Sequence, residues 1–86
     1  MGELSALPNL GKVVEKRLNE VNINTVEELM AAGSREAFLR LRSKDPGACI
    51  NMLYGLEGAV SGIRWHHLEA ETKRSLKQFY DSLQKI

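Results

Sequence analysis

Cys49 is the only cysteine, so no disulfide can close within the chain, and nothing points to an oxidising compartment. Long apolar runs are missing as well: no segment approaches the ~18 apolar residues that a membrane span needs. The opening "MGELSALPNL" has neither a basic n-region nor an apolar h-region. We therefore expect no signal peptide, no membrane partner and a cytoplasmic location. Charge of one sign is not in excess. The formal net charge is +1, whereas dedicated DNA-binding domains are usually more basic, which argues against strong nucleic-acid affinity. No stretch alternates apolar and polar residues for long enough to make a strand.

Catalytic groupings are lacking too. His66 and His67 are adjacent, so on a regular element they diverge instead of clamping one metal. Cys49 falls in the apolar stripe of a helix, where a buried structural thiol is expected and a nucleophile is not. Most carboxylates fall on solvent faces. Glu57 is the one acid that competes for a buried place, and a helix-surface position is expected of it. The chain reads as a non-enzyme with no cofactor, no metal and no small-molecule substrate.

What is present is helix. An apolar content of 43% beside 27% charged residues suits a soluble globular protein, and 86 residues supply one core, hence a single domain over 1–86. A chain this short buries roughly 60–65% of its unfolded surface, so modest stability is expected. Residues 3–6 suggest a short lead-in turn. From 12 to 21, Val14, Leu18 and Val21 form one apolar stripe. "NINT" breaks it, and Thr25 with Glu28 has the spacing of a capping box that opens a short helix, with Val26, Leu29 and Met30 inward. Gly33 suits the end of that helix and Ser34 the cap of the next, which carries Ala37, Phe38 and Leu41 and fades at "RSKD".

Asp45 followed by Pro46 predicts another helix start. Cys49, Met52, Leu53, Leu56, Val60 and Ile63 recur there at threes and fours. Gly55, Gly58 and Gly62 form an adjoining bare strip, which predicts the close approach of another helix. Trp65 is expected to cover the edge of the core, with an exposed contact role as the alternative. A last helix spans about 69–84, with Leu76, Phe79, Tyr80 and Leu83 inward. The fold class is all-α: a compact bundle of about five short helices.

Two features suit binding. The hairpin "LPNLGK" at 7–12 precedes a helix, whose leading N–H groups point outward and favour a phosphate oxygen. In it Gly11 is expected to adopt backbone angles closed to other residues, and Asn9 to visit the left-handed region. Lys12 and Lys16 stand one turn apart beside it. The second feature is "RLRSK" at 40–44, where Arg40, Arg42 and Lys44 have no acid among them. Such a run is either a solvated face or a phosphate track. The same hairpin also serves as a plain turn between helices.

"PNLGK", "GSREAFLRLR" and "LEGAVSGIRWH", in that order and within roughly residues 4–83, resemble the C-terminal domain of the TfoX (Sxy) family. Those proteins are bacterial regulators of natural competence for DNA uptake, and the full-length regulators carry a further N-terminal domain. The hairpin also resembles helix-hairpin-helix motifs, including one in the C-terminal domain of the RNA polymerase alpha subunit, where the turn again reads Asn-Leu-Gly-Lys. That likeness implies a phosphate contact at Gly11. The polar residues that assist it in the relative are replaced here by Val13 and Val14, so the shape is kept and most of the charge is lost. Together the resemblances imply a regulatory domain that contacts DNA weakly through its backbone, or contacts transcription proteins. The candidate nucleic-acid residues are Gly11, Lys12, Lys16, Arg40, Arg42 and Lys44. The rival is a protein-interaction module that never touches nucleic acid.

Overall fold

Thr25 sets the first long helix running in the way its spacing predicts. Its Oγ1 accepts the Glu28 N–H at 3.0 Å, and Glu28 Oε1 accepts the Asn24 N–H at 2.7 Å. The computed structural model describes residues 4–84, and among them only helices and turns form. A 3-10 turn at Leu4–Ala6 leads to α1 (Lys12–Glu20), α2 (Val26–Lys44) and α3 (Ile50–Ser61); a second 3-10 turn at Trp65–His67 precedes α4 (Ala70–Gln84). Residue 3, expected in the lead-in turn, lies outside the described residues. No helix among the described residues is long and apolar enough to cross a membrane.

α2 is not one rod. Gly33 has φ 82° and ψ 166°, angles that a side chain strongly disfavours, and it divides the helix into 26–32 and 34–44. Among the described residues this gives four α-helices, one of them broken at Gly33, and two short 3-10 turns. The kink turns Ser34 inward, to 4% exposure, and its hydroxyl donates to Glu57 Oε1 at 2.5 Å. Ser34 thus ties α2 to α3, where a helix cap was expected. Glu57 is accordingly half-buried.

The core draws on every helix. Leu18, Leu29, Phe38, Leu53, Leu56 and Leu76 are fully buried. Leu4 and Ile23, from the segments on either side of α1, are sealed with them. Each such side chain contributes about 1.5–3 kcal/mol of burial relative to exposure. Phe79, Tyr80 and Leu83 of α4 lie half-buried against this core, with the Tyr80 ring 5.9 Å from that of Phe38. Trp65 covers the core edge as expected, stacked on Tyr54 at 5.6 Å.

Several expectations need correction. Asp45 does not cap α3: its Oδ1 accepts the Gly47 N–H at 3.0 Å and its carbonyl the Ala48 N–H at 2.9 Å, so 45–48 is a turn and the helix begins at Ile50. Cys49 therefore falls at the N-cap, ahead of the helical stripe, and is exposed. Met30 lies a full 100° around the helix from Leu29 and is 55% exposed. Ile63 follows the left-handed Gly62 (φ 76°) that ends α3, so it too leaves the inner face. The glycine strip receives no helix: a Cβ on Gly58 would meet the Asn9 side chain, the Ile63 carbonyl at 2.7 Å and the Trp65 amide at 3.1 Å.

Candidate functional site

The hairpin before α1 is held by a side chain. Asn9 adopts φ 71°, the left-handed geometry that asparagine tolerates better than most residues. Its Nδ2 donates to the Ile63 carbonyl at 2.9 Å and, more weakly, to that of Gly55 at 3.4 Å. Its Oδ1 accepts the Trp65 N–H at 3.0 Å. Only bare backbone at Gly58 lets the amide lie this close, whereas a Cβ at Gly55 would make an ordinary contact with the Asn9 Cβ at 3.5 Å. The hairpin is thus latched to the last two turns of α3 and to the chain that leaves it.

Gly11 behaves otherwise than expected. It has φ −107° and ψ −175°, an extended conformation open to any residue, and no atom crowds its Cβ position. Its role is that of an N-cap with no side chain to cap. The first intrahelical bond runs from Glu15 N–H to the Gly11 carbonyl, at 3.0 Å, so the amides of Lys12, Val13 and Val14 precede the helical ladder. Glu15, the acid of this first turn, reaches back past the hairpin to the 3-10 turn, where its Oε2 accepts the Leu4 and Ser5 amides at 3.0 and 3.2 Å. Lys12 and Lys16 are exposed beside those amides and are held in no ion pair among the described residues. Val13, between them, is 68% exposed.

The basic run at 40–44 is divided. Arg40 Nε pairs with Glu36 at 3.0 Å along the same helix, and Arg42 Nη2 donates to the Leu83 carbonyl of α4 at 3.4 Å. Lys44 points elsewhere, into a hollow it shares with Arg17 and Glu20 of α1. Arg17 closes that contact with Asp45 at 2.6 Å. Lys16 lines a different hollow, with the same Arg17 and Glu20, so those two residues stand between the hollow of Lys16 and that of Lys44. Of the six candidate residues, Gly11, Lys12 and Lys16 stand at the start of α1, Lys44 faces α1 across a separate hollow, and Arg40 and Arg42 are directed to partners within the fold.

The model of the TfoX C-terminal domain matches residues 1–80. The chain belongs to that family. Protein Sxy of Escherichia coli (strain K12) is 35% identical over 80 residues, which is 93% of this chain and 38% of Sxy. The chain therefore spans well under half the length of that relative. Two crystal structures from Listeria monocytogenes share the fold. An uncharacterized protein in a triclinic form superposes with a TM-score of 0.93 at 52% identity, covering 94% of this chain and 92% of that one. A tetragonal form of a protein of unknown function gives a TM-score of 0.90 at 52% identity, covering 92% and 98%.

For this TfoX C-terminal domain, the residue most easily missed in the sequence is Asn9. A turn asparagine reads as a backbone choice alone. Its side-chain role shows itself only once Gly55 and Gly58, one turn apart on α3, are set opposite it.

Proposed function

We propose that this domain acts in transcriptional control of competence for DNA uptake, in the cytoplasm, by binding and not by catalysis. Its nucleic-acid contact is weak and follows the phosphate backbone, through the Gly11 end of α1 with Lys12, Lys16 and Lys44. The observation that carries this reading is the uncapped start of α1, where Glu15 is engaged by the Leu4 and Ser5 amides and Lys12 and Lys16 are in no ion pair among the described residues. Glu20 lies among these cations, which keeps the contact weak. Membership of the TfoX C-terminal family supports the regulatory setting. No helix among the described residues carries a row of Arg, Asn and Gln suited to base edges, so the contact is indifferent to sequence.

Titration with duplex DNA at two salt concentrations tests this. Three lysines on phosphates give a log–log salt slope of roughly −3. A preference of about a thousandfold for one duplex over a scrambled one contradicts the reading, because that is the range of base-specific recognition. A second reading, a module for protein partners alone, is favoured by Val13, which puts an apolar side chain at the centre of the same surface. It predicts no salt-dependent DNA binding at all.

A further inference from the structure

A cleft of about 360 Å³ opens between the hairpin, the first turns of α3 and the second 3-10 turn. It is separate from the surface of Lys12 and Lys16, neither of which lines it. Its apolar lining comes from Leu10, Val14, Met52 and Trp65. Its polar lining carries only one sign of charge: Arg64 is exposed at its edge, His66 stacks on Trp65 at 4.1 Å, and no acidic side chain contributes. Lys73 sits over the Trp65 ring at 5.6 Å, adding a second cation nearby. Cys49 and Asn51, at the start of α3, complete the rim. That helix has no capping side chain and no acid in its first turn, so its positive end is uncompensated where it meets the cleft. Asn9 also lines the cleft, but its amide is committed to the latch.

We propose that this cleft docks a short acidic–apolar peptide segment of a protein partner. An apolar side chain fills the surface of Leu10, Val14, Met52 and Trp65, and a neighbouring carboxylate faces Arg64 and the start of α3. The volume falls in the range of side-chain and small-ligand pockets. Charge complementarity sets the sign of the occupant. A DNA backbone is the poorer fit, because phosphates and sugars offer nothing to cover four apolar side chains.

The cleft carries its own reporters, since Trp65 is the only tryptophan and Cys49 the only cysteine. The probe is an end-blocked heptapeptide of alternating glutamate and leucine; a control has glutamine for glutamate, and a third titrant is duplex DNA at low salt. The acidic peptide is expected to shift Trp65 emission saturably and to slow alkylation of Cys49 by iodoacetamide, with the glutamine peptide much weaker. Arg64→Glu should weaken the acidic peptide by about tenfold. Asn51→Asp, which suits a helix start and so leaves the fold intact, should weaken it likewise. Equal binding of the two peptides, or none by about 1 mM, overturns the proposal. So does binding that neither variant alters. Protection of Cys49 by DNA in place of peptide would assign the cleft to nucleic acid and overturn it as well. The Lys12 surface is scored separately by salt slope, so either site can fail alone.

Discussion

The start of α1 and the end of α2 look alike in sequence, each a short basic stretch beside a helix terminus. In the fold they differ in what their charges face. Arg40 and Arg42 meet an acid of their own helix and a carbonyl of α4, whereas Lys12 and Lys16 face outward beside amides that no helix bond uses. Arg40 and Arg42 also lie at a helix C-terminus, where positive charge is favoured whatever the function. A basic run is therefore a candidate for binding only where the fold leaves it unpaired. The start of α1 has a second distinction: the Asn9 latch holds it to α3, so its donors are fixed in place before any ligand arrives.

The largest effect should come from removing the room in which that latch sits. Gly58→Ala gains about 1 kcal/mol of helix propensity, but its methyl runs into the Asn9 amide and the Ile63 carbonyl. Overpacking and the loss of the Asn9 bonds outweigh that gain, for a net loss of about 2–3 kcal/mol, measurable by denaturant titration. Next is Asn9→Gly, which keeps the left-handed backbone and deletes only the side-chain bonds. We expect a loss of about 1–2 kcal/mol, and a variant as stable as the parent would show that the latch carries no energy. Removing the Arg40–Glu36 pair on the other basic stretch should cost only about 0.3–0.5 kcal/mol, since both groups are well exposed. Smallest is Gly11→Ser, within about 0.5 kcal/mol in thermal unfolding, because Gly11 is an extended, uncrowded N-cap where serine is equally suited.

That last prediction reverses what the sequence suggests, and the reversal marks where reading by residue type stops. The helices were legible because their signals are local: the Thr25–Glu28 box, the break at Gly33 and the stripe of Leu53 and Leu56 each act within a turn or two. The hairpin was legible as a hairpin. Which of its residues bears the unusual backbone was not, because Asn9 and Gly11 both permit it. The choice rests on what lies opposite, Gly58 and the Ile63 and Trp65 backbone some fifty residues later in the chain. Asp45–Pro46 failed for a similar reason. The same carboxylate that caps a helix also closes a turn, and burial of Ala48 favours the turn. The division of the 40–44 run was equally hidden, since Leu83 reaches Arg42 only through the packing of α4. Family resemblance identified the domain, but it did not say which of its charges are free to act.

The central claim is that the outward lysines of α1 contact phosphate and the engaged arginines of α2 do not. Its most direct test is the salt dependence of duplex-DNA binding for Lys12→Ala beside Arg40→Ala, with thermal unfolding showing both variants folded. The account predicts that Lys12→Ala weakens binding on every sequence and lowers the salt slope by about one unit, while Arg40→Ala leaves the slope unchanged. A slope that falls for Arg40→Ala and stays constant for Lys12→Ala would contradict it.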